Sequence, residues 1–137
     1  MTSPHFRVDP RAFGIHLVDP GFVYVIEDRG RFKIGRTTDA QARLSAAKTW
    51  LPEMKLVGMK PFWNHQHVEQ TMHVGFAACW HAGEWFEMLD AEYRNVLVDG
   101  FSEFSGTDRD RNSVDFIYWV NGSGMSELTL EQSRSGV

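Results

Sequence analysis

The amino-acid sequence predicts a small α+β domain, and three observations carry that expectation. Segments of strand composition and segments of helical periodicity follow one another from Gly21 onward. The breaks between them fall at Pro, Gly, Asn and Asp. Hydrophobic residues make up 42% of the chain, with 10 Phe, 5 Trp and 3 Tyr, and 137 residues suffice for one core but not two.

The elements can be justified in order. Residues 1–20 hold three of the five prolines and a short apolar run, Phe13 to Val18, which predicts an irregular arm carrying one edge strand. Asp19-Pro20-Gly21 ends it. Gly21 to Ile26 is β-branched and aromatic, Glu27-Asp28-Arg29-Gly30 breaks the run, and Arg31-Phe32-Lys33-Ile34-Gly35 alternates again, which predicts a hairpin. Thr38 and Gln41 match a capping box, and Ala40, Leu44, Ala47 and Leu51 recur at helical spacing, so a helix runs from about Asp39 to Thr49 before Pro52. Arg43 flanks that stripe and leans toward the sheet.

Met54 to Lys60 reads as a third strand, ended by Pro61. Asn64 is positioned to cap a second helix with Val68, Met72, Phe76 and Cys79 inward. A third helix carries Phe86, Leu89, Tyr93 and Val96 on one face, with Gly100 past its end. Residues 101–112 read as loop, Val114 to Val120 as a late strand or short helix, and 121–137 as a weakly ordered tail. The expected organisation is an arm at 1–20, a central domain at 21–98, and an extension at 99–137 that packs on it and ends flexibly.

The formal net charge of −4 hides an asymmetry: residues 1–83 carry 10 Lys and Arg against 7 Asp and Glu, and residues 84–137 carry 4 against 11. The portions are thus +3 and −7. Between Arg29 and Lys48 there are six basic residues and one acid, Asp39, a compact segment that suits a phosphate backbone or a solvated face. The longest uncharged stretch, Gln70 to Gly83, is too short to span a bilayer, and the N-terminus lacks an apolar signal region. The single cysteine, Cys79, cannot form an internal disulfide; it suits a reducing cytoplasm and reads as a small buried residue.

The order of a strand with Tyr24, a strand with Lys33-Ile34-Gly35-Arg36-Thr37, a helix with Arg43, a helix with Glu69, then Glu84-Trp85-Phe86 resembles the GIY-YIG nuclease superfamily over about residues 21–90. It is most similar to the phage and bacterial branch, shared with a meiotically up-regulated fungal protein, in which KIG replaces YIG and Glu-Trp-Phe follows the metal-binding helix. The resemblance implies a three-stranded antiparallel sheet flanked by three helices. It further implies a metal-dependent endonuclease that hydrolyses DNA phosphodiester bonds in the cytoplasm. Its catalytic residues fall on Tyr24, Lys33, Arg36, Arg43 and Glu69, and its Mg²⁺ (or Mn²⁺) ligand on Glu69. Arg31, Thr37 and Lys48 are the expected substrate-binding residues. Specificity is expected from a homodimer, a protein partner, or the flanking segments.

These residue types suit the chemistry. One carboxylate can hold Mg²⁺, which keeps most of its waters. A phenol orients or deprotonates water, and Lys and Arg balance growing phosphate charge. Lys33 stands where the superfamily usually has Tyr, which shifts water activation toward Tyr24 or a metal-bound hydroxide. The usual His after the helix Arg is lacking, with Ala47 and Lys48 in that region, and Glu84 is the candidate for the place of a missing Asn. His65, Glu69 and His73 are spaced i, i+4, i+8, which opens a transition-metal reading for one adjacent pair, Glu69 with His73. The rival reading of the whole chain is a DNA-binding or protein-interaction module, such as a phage-type regulator or inhibitor, that keeps the fold without efficient chemistry. Tyr24 is then a core aromatic and Glu69 an ordinary helical carboxylate.

Overall fold

The computed structural model describes residues 9–15, 17–88 and 90–122. Five strands form one antiparallel sheet, β1 (Gly21–Asp28), β2 (Arg31–Thr37), β3 (Lys55–Phe62), β4 (Trp80–Ala82) and β5 (Trp85–Phe86), in the spatial order β3-β1-β2-β5-β4. Four α-helices accompany it among the described residues: α1 (Ala40–Trp50), α2 (His65–Gly75), α3 (Ala91–Ser102) and α4 (Arg109–Gly122). The sheet is therefore wider than the three strands expected, and one helix is added. Trp85 and Phe86, expected to lead directly into the third helix, instead pair with Lys33 and Phe32 of β2. The helix waits for Asp90, whose carboxylate accepts from Tyr93 N, and it runs through Gly100 rather than ending before it.

The β1–β2 hairpin turns on Arg29 and Gly30, both with positive φ (54° and 82°). A two-residue turn with two left-handed positions matches the right-handed strand twist. Paired residues share a face, so Val23, Val25, Phe32, Ile34, Phe62 and Phe86 turn toward the core with Val68 and Met72 of α2 and Leu97 and Phe101 of α3. Tyr24, Ile26, Lys33 and Gly35 take the other face. Cys79 is buried, as its composition suggested.

Beyond α3 the core continues. Phe104 and Phe116 meet Phe62 edge to face, with centroids 5.4 and 5.9 Å apart, and Trp119 stacks into the same group. Trp119 fills the space beside Gly100 that a Cβ there would need, which accounts for glycine inside a helix. Asn112 donates to Pro61 O and Ser105 O, and the Ser113 hydroxyl accepts from Trp63 N, tying α4 to the end of β3. Residues 114–120 are thus helical, and the expected loop shrinks to the residues between α3 and α4. The tail from residue 123 lies outside the described residues.

Three local expectations change. The N-cap of α1 is Asp39, accepting from Ala42 N, rather than a Thr38–Gln41 box; a carboxylate is the stronger acceptor for the free helix N–H groups. Asn64 precedes α2 but makes no side-chain cap; that end is held by His65 N donating to Asp19 O and Asp19 N donating to Trp63 O. The arm forms a short 3-10 turn, Pro10–Phe13, and its extended part makes an isolated bridge between Asp19 and Asn64 rather than an edge strand.

Candidate active site

The site grows from an interruption in the sheet. β5 pairs with β2 only at Phe32 and Lys33. One residue further, the β2 edge is taken over by groups outside the strands: Ile34 N donates to the Glu84 carbonyl, and Ile34 O accepts from His73 Nε2 at 2.7 Å. That carbonyl can only accept, so Nε2 carries the proton. α2 is thereby pinned to the open edge of β2, one turn after Glu69.

Glu69 is 8% exposed. Arg36 Nε lies 3.8 Å from one of its oxygens and His73 Nε2 3.6 Å from the other. Burial pushes the Glu69 carboxyl above its ordinary value and the charge of Glu84 adds to this, while His73, Arg36 and His65 pull it down. The net direction is upward, so desolvation outweighs its cationic neighbours. Because the His73 nitrogen facing Glu69 is a proton donor, it has no lone pair there for a metal. In this arrangement His73 meets Glu69 as an orienting donor. Among the described residues no group of three or more His, Cys, Asp and Glu is arranged to hold a metal ion. A lone carboxylate suits a hard, water-rich cation such as Mg²⁺ better than zinc.

On the other face Tyr24, 2% exposed, lies against Gly35. A Cβ at position 35 would collide with Tyr24 Oη, so the glycine of Lys33-Ile34-Gly35 is a steric requirement of the phenol. Arg43 reaches from α1 and donates to that hydroxyl. Burial raises the Tyr24 phenol above its usual value; Arg43 opposes this, and the charges of Glu84 and Glu69 add to it. A phenol so placed is neutral at physiological pH. Its oxygen accepts from Arg43 and its own proton remains to donate.

Lys33 Nζ lies 3.7 Å from Glu84, which brings the Glu-Trp-Phe carboxylate into the cluster. Tyr24, Lys33, Arg36, Arg43 and Glu69, drawn from four elements, therefore assemble around the edge of β2. The expected substrate-binding residues do not all join them. Arg31 pairs with Glu87 at 3.7 Å. The Thr37 hydroxyl accepts from Asp39 N and donates to Asp39 O, so it supports the start of α1. Lys48 is exposed but sits about 140° around α1 from Arg43. Sequence reasoning missed the hydrogen bond from His73 to Ile34, for which the only signal was the i, i+4 spacing from Glu69.

The T5orf172 domain matches residues 21–99, a segment that contains every one of these side chains. The chain belongs to the T5orf172 domain family. No curated protein and no solved structure matches it. The T5orf172 segment ends inside α3, while the core that supports it extends to α4. Among the described residues no helix is long and apolar enough to cross a membrane.

Proposed function

We propose that the chain is a metal-dependent endonuclease of GIY-YIG type that hydrolyses DNA phosphodiester bonds at the β2 edge. The observation that carries this reading is the assembly of one desolvated carboxylate, one neutral phenol and three cations from four separate elements. Membership of the T5orf172 family is consistent with a nuclease-like or DNA-binding module and supports it. A desolvated carboxylate gathered with cations from separate elements is an arrangement that recurs at functional sites.

Glu69 is the residue that would hold Mg²⁺ (or Mn²⁺), and such an ion supplies charge stabilisation to the phosphate oxygens. Arg36, which balances Glu69 in the free protein, turns to the non-bridging oxygens once phosphate arrives. Lys33 and Arg43 add positive charge as the transition state becomes more anionic. Tyr24, held by Arg43, aligns the attacking water by hydrogen bonding rather than by taking its proton, since its phenol is raised and not lowered. Water attacks phosphorus and loses a proton to solvent, the P–O3′ bond breaks, and the 3′ oxygen takes a proton from solvent and leaves as a hydroxyl.

The second reading, a module that binds DNA or protein without turnover, is favoured by the 2% exposure of Tyr24. Incubating supercoiled plasmid with the full chain in Mg²⁺, Mn²⁺ or EDTA separates the two. The nuclease reading requires metal-dependent nicking that disappears in Glu69→Gln and falls sharply in Tyr24→Phe. Folded wild type that binds DNA and leaves it intact in both metals establishes the second.

A further inference from the structure

Trp50, the last residue of α1, is 82% exposed. Among the described residues no hydrogen bond or ring contact engages it. Trp80, also exposed, at least donates its Nε1 proton to Gly83 O. A single exposed indole is ordinary surface by itself, so what bears on function is where Trp50 sits.

Its position is specific. Trp50 follows Arg43 by seven residues, which on an α-helix places it within about 20° of the same azimuth and about 10.5 Å further along the axis. Ala46 and Ala47 lie between and do not project. One flank of α1 therefore presents a cation at the Tyr24 hydroxyl, then small residues, then a bare indole. A strand whose phosphate is held at Arg43 advances about 3.4 Å per nucleotide in a duplex and further when unpaired, so Trp50 falls within about three nucleotides of it. Arg43 gives this flank its positive charge, and the one acid of α1 is its cap, Asp39, at the far end of the helix from Trp50. The surroundings do not suit a protein interface, which needs about 800 Å² on each partner. α1 offers no second exposed large apolar residue.

We infer that Trp50 is a stacking platform for an unpaired base within about three nucleotides of the scissile phosphate. The preferred substrate is then DNA with a single-stranded segment beside the cut, such as a gap or flap, rather than uninterrupted duplex. Within a duplex both faces of each base are covered by neighbours; an unpaired base has a free face for the indole. Stacking also supplies binding that a chain of net charge −4 cannot draw from phosphates alone. The inference rests on the reading of the site as one that acts on DNA.

The test measures binding in EDTA, where no cleavage is expected, using the full chain with an intact labelled duplex and the same duplex carrying a short gap. Wild type should prefer the gapped probe. Trp50→Ala should weaken that probe about tenfold, the effect of one lost stack, and change the intact duplex less than twofold. Trp50→Phe should retain most of the preference. A 2-aminopurine placed opposite Trp50 in the gap should be quenched by wild type and not by Trp50→Ala. Equal loss on both probes, no loss on either, or a change in sedimentation with unchanged DNA binding overturns the inference, the last pointing to contact between copies. Gap preference without cleavage in metal rejects catalysis and leaves Trp50 standing. Glu69-dependent cleavage without gap preference does the reverse.

Discussion

α1 and α2 are both eleven residues long, and each delivers one side chain to the same cluster, yet they are held in opposite ways. α2 buries His65, Val68, Glu69, Met72 and Gly75, and His73 fastens it to β2. α1 buries nothing; its stripe of Ala40, Leu44, Ala47 and Leu51 is only half covered. Each fully buried large apolar side chain stabilises by about 1.5–3 kcal/mol. The carboxylate therefore rides on a fixed helix and Arg43 on a weakly held one. Under the proposed endonuclease reading that division is apt, since a metal-holding carboxylate would have to stay in place while a phosphate-facing cation would have to adjust.

The comparison can be broken at its functional end first. Glu69→Gln should reduce metal-dependent plasmid cleavage by about 10²–10³-fold or more with the fold intact by circular dichroism. A loss no greater than that of Arg43→Ala would remove the asymmetry between the two helices. Next in size is stability: Met72→Ala should cost about 2–5 kcal/mol in urea unfolding, and Leu44→Ala clearly less, about 1 kcal/mol. Equal costs would mean that α1 is as firmly seated as α2. Gly35→Ala forces Tyr24 off β2, so it should lower cleavage as far as Tyr24→Phe does, and it should also destabilise the sheet, which the Phe variant should not. Arg43→Ala should change stability by less than about 0.5 kcal/mol while lowering cleavage.

The smallest expected effect is the most diagnostic. The Glu69 carboxyl is raised in the folded protein, so the fold prefers its protonated form. Its contribution to stability is complete below the ordinary value of 4.5 and is lost as pH rises through the higher folded value. Glu69→Gln should then melt at a higher temperature than wild type at pH 7 in EDTA, and the gain should vanish near pH 4. A lower Tm at pH 7 would mean that Arg36 and His73 more than compensate for burial.

The parts that were legible in the sequence are those fixed by local chemistry. Hairpin strands, the spacing of Val68 and Met72, and the flank position of Arg43 follow from periodicity, and each side chain expected to be catalytic does lie at the β2 edge. What was not legible depends on distant partners. Trp85 and Phe86 form a strand only because β2 offers a vacant edge, and nothing nearby in the chain encodes that. Phe116 and Trp119 look equally at home in a strand or a helix until Phe62 and Gly100 are seen opposite them. Thr37 was expected at substrate because it lies beside Arg36, but helix entry claims its hydroxyl.

The ring of Phe62, Phe101, Phe104, Phe116 and Trp119 also bears on how this site can be moved between proteins. The stretch shared with the T5orf172 family stops at residue 99, before four of those five aromatics. A graft of residues 21–99 would carry the whole candidate site and leave the Phe62 side of its sheet bare, an open invitation to aggregation. The portable unit is longer than the recognisable one, and any minimal fragment should be cut after α4.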